Sequence, residues 1–129
     1  MLNLTYTHNN ETRIVKLYPL ECALLLMQDD LKKLFRRTLS IQNAWLFFQE
    51  GIDGSGYLIV LNAKKDILKN KLFLYKIRKL IDKYLDEIRG YSFNICLYKD
   101  NDILNKTNMF FDRKKDNAFM ILFAKYFLK

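Results

Sequence analysis

The sequence has few of the residues that interrupt secondary structure. Its 129 residues include a single proline, Pro19, and four glycines, so long helices and strands meet few breaks. Half of the residues are hydrophobic and 15% are aromatic, which suffices for a packed interior and argues against disorder. A chain of this length holds one hydrophobic core. We therefore expect a single domain over residues 1–129.

Cysteine is also scarce, and long apolar runs are missing. Cys22 and Cys96 lie far apart among hydrophobic neighbours, where a thiol usually behaves as a small buried hydrophobic group. Two cysteines do not form a disulfide framework. No stretch reaches the roughly 18 uncharged apolar residues of a membrane span, and the first residues lack the pattern of a secretory signal. We expect a cytoplasmic protein without a transmembrane span.

No recognisable catalytic or metal-binding constellation is present. The only histidine, His8, falls in a polar turn, whereas histidine catalysis needs a positioned partner. Asp100 and Asp102 lack the downstream glycine and glutamate of an EF-hand calcium loop. The glycine-rich segment 51–56 lacks the G-K-[ST] ending of a phosphate loop. We predict no enzyme activity, no cofactor and no metal site.

Alternating residues predict one hairpin, and two apolar runs around a glycine-rich turn predict a second. Residues 2–7 and 12–17 alternate around the polar turn 8–11, and residues 41–49 and 57–61 flank the glycine-rich turn 51–56; both patterns are typical of strand–turn–strand units. The continuous apolar run 57–61 is typical of a central strand with both faces covered. Residues 91–98 alternate again and predict a further strand with one buried face.

Helical spacing appears three times. After Pro19, which we place in the first turn, hydrophobic residues recur every three or four positions to about Leu39. A longer pattern predicts a helix over 64–89 with Gly90 as its C-cap. Residues 114–129 predict an appended terminal helix, apolar on nearly every side from Ala118 and about three turns long. The tail completes the core or a homodimer contact, or it binds a partner or an anionic membrane.

The order β-β-α-β-β-α-β-α predicts an α+β fold. We expect a mixed, mostly antiparallel sheet with the two main helices on one face and a short C-terminal helix. The last strand returns after a helix, so it is expected to pair parallel to a neighbour through a crossover.

The net charge is +8, from 22 basic and 14 acidic residues. Nine basic and only four acidic residues fall within 64–89, and the aromatic residues of this helix are expected on its inward stripe. Such a balance suits acidic proteins, nucleic acid or anionic lipid, and it also serves solubility alone. The candidate partner-binding surface consists of lysines from this helix and the tail: Lys64, Lys65, Lys69, Lys76, Lys79, Lys83, Lys125 and Lys129. A protein partner is predicted, acidic if the basic helix is used. Nucleic acid is the alternative.

The order of elements over residues 15–113 resembles the C-terminal domain of the SseB (enhanced serine sensitivity protein) family. The motifs are V-K-L-Y-P-L at 15–20, A-W-L-F from Ala44, Y-L-I-V-L at 57–61, S-F-N-I-C-L-Y at 92–98 and M-F-F-D-R at 109–113. They cover about three quarters of the chain. The resemblance implies a small non-enzymatic binding or regulatory module, in a toxin–immunity or secretion context, with no catalytic residues to carry over. Because inhibitors of basic nucleases tend to be acidic, an immunity role for this chain implies an acidic target.

A KH-like arrangement is the alternative fold comparison. Hairpin, helix and strand also occur in KH-like nucleic-acid-binding domains, and the long helix is basic. The G-x-x-G loop that KH domains carry between helices is missing, because the glycines at 51–56 join two predicted strands.

Overall fold

The computed structural model describes residues 2–8, 11–19, 24–51, 54–99, 104 and 109–115, with the backbone alone for residues 2–19. The strands are β1 (Leu2–His8), β2 (Glu11–Pro19), β3 (Asn43–Gly51), β4 (Gly54–Asn62), β5 (Ser92–Leu97) and β6 (Phe111–Asp112). The α-helices are α1 (Leu25–Arg36) and α2 (Lys71–Asp82), and a 3₁₀ helix spans Lys65–Lys69. No helix of the described residues combines the length and hydrophobicity needed to cross a bilayer.

All six strands belong to one mixed sheet. The strand order is β1-β2-β3-β4-β5, and β6 pairs with β3. Every pairing is antiparallel except that of β4 with β5, which α2 connects in the chain. The α+β class, the mostly antiparallel sheet and the parallel return of the fifth strand are therefore confirmed.

Both predicted hairpins are present, with longer strands than predicted. His8 and Glu11 were predicted as turn residues. They instead form the last pair of the β1–β2 ladder. Pro19 was wrongly placed in a helix: it ends β2 and pairs with Phe47 of β3, and α1 begins only at Leu25. Proline is tolerated at such a position because a strand end need not donate a ladder hydrogen bond.

The single long helix predicted over 64–89 is also wrong, because the chain breaks at Asn70. This residue has an extended backbone (φ −79°, ψ 100°), and its side chain accepts a hydrogen bond from the Phe73 amide, 3.1 Å away, as an N-cap. The 3₁₀ helix lies before the break and α2 after it, and turns follow from residue 83 to residue 90. Gly90 has φ +72° and donates its amide to the Leu85 carbonyl, but it ends these turns and not the helix. The prediction that Gly90 is the C-cap is wrong, because α2 ends at Asp82 with Lys83 as its C-cap.

The two helices cover one face of the sheet. Phe35, near the end of α1, meets Phe73, near the start of α2, with ring centroids 6.3 Å apart. Two residues beyond the end of α2, the Tyr84 hydroxyl donates to the carboxylate of Asp30, in the middle of α1, at 2.5 Å. The core between the helices and the sheet is formed mainly by Met27, Leu31, Phe35, Ile41, Ala44, Leu46, Ile59, Leu61, Ile67, Phe73, Ile77, Ile81, Ile88 and Phe111.

The other face of the sheet is also buried at its centre. Trp45 and Phe47 of β3 and Leu58 and Val60 of β4 are at most 7% exposed. They form a second cluster with Leu104, against which Cys96, Tyr98 and Met109 pack, and Trp45 stacks on Tyr98 with centroids 5.1 Å apart. The prediction that β4 is a central strand with both faces covered is confirmed.

The short strand β6 had no counterpart in the sequence prediction. Phe111 pairs with Ala44 and Asp112 with Asn43, directly beyond the part of β3 that pairs with β2. The Arg113 guanidinium then donates to three carbonyl oxygens near the end of α1: Phe35 at 2.7 Å, Thr38 at 3.0 Å and Ile41 at 2.7 Å. Arg113 thereby joins β6 to α1.

A helix begins directly after β6. Residues 113–115 are helical, and the Lys114 amide donates to the Asp112 carboxylate at 3.1 Å, the arrangement of an acidic N-cap. The rest of the predicted terminal helix, including Lys125 and Lys129, lies outside the described residues.

Candidate functional site

Six of the eight predicted surface lysines lie on the described segment between β4 and the end of α2. Lys64 precedes the 3₁₀ helix, Lys65 and Lys69 begin and end it, Lys76 and Lys79 belong to α2, and Lys83 is the C-cap of α2. All six are exposed. We call this surface, with the side chains between the lysines, the basic face.

The orientation of the basic face follows from the spacing of the buried residues in α2. Phe73, Ile77 and Ile81 recur every fourth residue and are buried against the sheet. Lys76 and Lys83, seven residues apart, therefore share one flank of this stripe, about 100–120° around the helix from Ile77. The hydrophobic stripe fixes the direction in which the charges point.

The basic face carries excess positive charge that the described residues do not neutralise. The residues from Lys64 to Arg89 have nine basic and four acidic side chains, a balance of +5. None of the six lysines forms an ion pair with a described carboxylate. An ion pair on α1 joins Lys32 to Asp29 at 3.9 Å. An unneutralised, exposed cluster of this kind produces a positive potential that attracts anionic partners.

Apolar side chains lie among these lysines. Leu72 is 62% exposed and Tyr75 53% exposed, and the Lys79 ammonium lies 5.2 Å from the centroid of the Tyr75 ring. The expectation that the aromatic residues of this segment all point inward is therefore wrong for Tyr75. The sequence spacing already indicated this exposure. Tyr75 is two residues from both Phe73 and Ile77, which places it about 200° around the helix from each. Exposed apolar groups flanked by charge are typical of binding surfaces.

Two described groups have strongly shifted pKa values, and both shifts favour the neutral form. The hydrogen bond to Asp30, with burial and the negative charges nearby, raises the pKa of Tyr84 to about 12. Burial raises the pKa of the Cys96 thiol to about 11, against a smaller opposing effect of Lys99. Neither group is ionised near pH 7, so neither is activated as a nucleophile or a general base.

A shallow open depression of about 390 Å³ adjoins the basic face at Lys64. Its polar groups are partly engaged with the protein: the Gln42 amide donates to the Leu39 carbonyl at 3.2 Å, and the Asn62 amide donates to the Asn43 side chain at 2.9 Å. The described residues contain no group of three or more histidine, cysteine, aspartate or glutamate side chains arranged to hold a metal ion. The depression is lined by Leu39, Ser40, Gln42, Asn62, Ala63 and Lys64.

Comparison with known proteins gives no relative. No protein-family model matches the chain, and no curated protein or solved structure matches it at a significant level. The resemblance to the SseB family stays a prediction, and the basic face has to be interpreted from its own chemistry.

Proposed function

We propose that this chain is a non-enzymatic protein-binding module that uses the basic face to bind an acidic partner. The observation that carries the proposal is a combination on α2 and at its C-cap. Exposed lysines that pair with no described carboxylate, Lys76 and Lys83 among them, lie with the exposed Leu72 and Tyr75. Charge steers an oppositely charged partner to the surface, and the apolar groups supply area to bury once it arrives.

The apolar residues favour a protein partner over nucleic acid. Single-stranded nucleic acid is bound by aromatic side chains on which bases stack, and Tyr75 is suited to that role. Leu72 and the half-exposed Leu85 are not, because an aliphatic side chain offers no ring. Tyrosine is enriched at the centre of protein interfaces, where a neighbouring leucine adds apolar area, and lysines are depleted there and suit the polar rim.

The state of the titratable groups supports a role in binding rather than catalysis. Tyr84 and Cys96 are the described groups with strongly shifted pKa values, and both remain neutral at pH 7. Functional sites usually shift pKa values toward the working pH, which is the opposite of what is observed here.

The SseB-like order of elements gives the proposal a biological context. A regulatory or immunity protein in a toxin–immunity or secretion system is the role that this resemblance implies. With a net charge of +8, the target in such a system is expected to be acidic.

A pair of charge-matched variants tests the proposal. Lys76→Glu/Lys83→Glu changes the basic face, and Lys33→Glu/Arg37→Glu changes exposed residues of α1; each lowers the net charge from +8 to +4 and each includes one helix C-cap. The partner is captured from the source cells with the tagged wild-type chain, identified and purified, and its affinity for all three chains is measured by calorimetry at two salt concentrations. We expect the basic-face variant to weaken binding by roughly tenfold, about 1.4 kcal/mol, and the α1 variant to change it by less than about twofold.

Other outcomes contradict the proposal. If no partner is recovered at low or moderate salt, or if both variants weaken binding equally, the basic face is not a specific protein-binding surface. If mixed-sequence RNA or DNA oligonucleotides bind with a steep salt dependence and only the basic-face variant loses that binding, the chain is a nucleic-acid-binding module instead.

A further inference from the structure

Strand β5 lies at one edge of the sheet, and its outer side has no partner among the described strands. The strand order places β4 on one side of β5 and no described strand on the other. The Tyr98 amide donates to the Leu61 carbonyl at 2.7 Å, so alternate residues from Tyr98 back along β5 direct their backbone groups to β4. Because these groups alternate in direction along a strand, those of Phe93, Ile95 and Leu97 point outward.

The edge of β5 lacks the features by which exposed strands usually avoid pairing. Charged side chains, prolines and bulges protect such edges. The six residues Ser92–Leu97 include no charged residue and no proline. Their register with β4 is continuous, from Gly56 opposite Ser92 to Leu61 opposite Leu97, so there is no bulge. The outward groups therefore form a row of donors and acceptors that another extended chain can match.

Apolar side chains lie along both faces of this edge. Phe93, Ile95 and Leu97 are half-buried on the side of the helices, and Cys96 is half-buried on the other side. Side chains of an added strand would pack beside them, since directly opposite residues of paired strands lie about 5 Å apart. A segment that matches the edge is therefore apolar in its middle.

Positive charges lie at both ends of the strand. Arg89 precedes β5 and Lys99 follows it, and both are exposed; residues 89–99 include no acidic side chain. Acidic residues at both ends of an added strand would meet opposite charges. A second copy of this chain does not fit. Two-fold pairing with Ile95 opposite Ile95 of the other copy, or opposite its Phe93, brings Lys99 close to Arg89 at both ends, and like charges across a strand pair are destabilising.

We propose that the outer edge of β5 binds an extended segment of a partner protein, apolar in its middle and acidic at its ends, which adds to the sheet as a further strand. In this mode of binding the backbone ladder supplies affinity and the neighbouring side chains select the segment. The edge is a second binding surface and does not depend on the basic face, whose described lysines lie between β4 and the C-cap of α2.

Amide hydrogen exchange followed by NMR in the full chain tests the proposal. The probe is a synthetic peptide with a valine–threonine repeat in its middle and two glutamates at each end. In the free chain we expect the amides of Phe93, Ile95 and Leu97 to exchange within about tenfold of the rate of an unfolded chain, and those of Cys96 and Tyr98 to exchange at least about a hundredfold more slowly. With the peptide at about ten times its Kd, the three outward amides should exchange roughly tenfold more slowly than in the free chain.

Two control peptides separate backbone pairing from charge. A peptide with proline at every second middle position cannot form the ladder and should protect none of the outward amides. A peptide with lysines in place of the glutamates should bind at least about tenfold more weakly. The variant Arg89→Glu/Lys99→Glu should reverse this preference, whereas Lys33→Glu/Arg37→Glu, which has the same net charge, should keep it.

Three outcomes would overturn the proposal. Outward amides that are already protected in the free chain would show that the chain covers its own edge. No binding of the glutamate-ended peptide at about 5 mM, or binding that leaves the outward amides unprotected, would show that β5 does not accept a strand. These results are independent of the basic face, because Lys76→Glu/Lys83→Glu is expected to bind the peptide within about twofold of the wild type.

Discussion

Replacing Gly56 with alanine is a direct test of the parallel β4–β5 pairing. Gly56 is buried and lies opposite Ser92 in the ladder. A Cβ atom added at Gly56 would overlap Ser92 Oγ and would lie 2.8 Å from the Ser92 carbonyl oxygen. The serine side chain is exposed and can rotate away, but the carbonyl belongs to the strand and cannot. The two strands must therefore separate locally to admit one methyl group.

The size of the effect follows from two opposing contributions. Overpacking a tightly packed site costs about 1–3 kcal/mol, and replacing glycine with alanine in a strand returns about 0.5–1 kcal/mol of chain entropy. We expect Gly56→Ala to lower the free energy of unfolding by about 1–2 kcal/mol and, for a domain of this size, to lower the Tm by about 4–8 °C. The measurement is urea denaturation followed by Trp45 fluorescence, with thermal unfolding in parallel.

Two comparisons separate the steric effect from a conformational one. Gly90 has φ +72° and nothing within 4 Å of its added Cβ, so Gly90→Ala destabilises through backbone strain alone and Gly90→Asn, which tolerates that conformation, restores part of the loss. No such recovery is expected for Gly56→Asn. Ser92→Ala in the Gly56→Ala background should recover little, because the carbonyl contact remains. If Gly56→Ala is as stable as the wild type or more stable, the close approach of β4 and β5 is wrong.

Three further predictions concern single side chains. Asn70→Ala removes the N-cap of α2 and should cost about 1 kcal/mol in urea denaturation, whereas Asn70→Asp should cost less than half of that. Arg113→Met removes the hydrogen bonds to the end of α1 and should lower the free energy of unfolding by about 2–3 kcal/mol. Arg113→Lys keeps the charge but not the planar set of guanidinium donors, and it should restore less than half of the lost stability. The pKa of Tyr84 is raised from 10.0 to about 12. Its bond to Asp30 therefore contributes stability that is fully present below pH 10 and is lost as the pH rises through 12. Tyr84→Phe should remove this part of the alkaline dependence of stability on pH.

Each of these has an outcome that contradicts it. Equal stability of Asn70→Ala and the wild type would mean that the helix does not begin at this cap. An Arg113→Lys variant as stable as the wild type would show that the geometry of the guanidinium is irrelevant. Absorbance at 295 nm reports all eight tyrosines, so the titration of Tyr84→Phe is subtracted from that of the wild type. A midpoint near pH 10 for this difference in the folded chain would contradict the bond to Asp30.

Local sequence patterns were enough to find the strands of both hairpins: alternation for the first, and apolar runs around a glycine-rich turn for the second. In strands 43–51 and 54–62 the hydrophobic residues are adjacent in sequence and buried on both faces, so the apolar run at 57–61 carried the correct information about a central strand. The helix over 64–89 failed for the opposite reason. Ile67, before the break, and Ile77, after it, enter the same core, so the hydrophobic spacing continues across Asn70 and hides the interruption.

Contacts between segments distant in sequence could not be predicted from local sequence patterns. A two-residue strand such as β6 has no periodicity of its own; it exists because β3 offers free pairing groups at Asn43 and Ala44. The lysines of the basic face were predicted as exposed, and those in the described residues are. That they form no ion pair with a described carboxylate depends on side-chain positions, and spacing alone does not determine these.

The position of β6 has a consequence for synthesis of the chain. β2 and β6 share one edge of β3, at residues 47–50 and 43–44, and β6 is made after the other five strands. Until Phe111 emerges, the backbone groups of Asn43 and Ala44 form an open edge to which another nascent chain can pair. Translation that stops before residue 111 is therefore expected to release a fragment in which this part of β3 lacks the pairing that β6 provides.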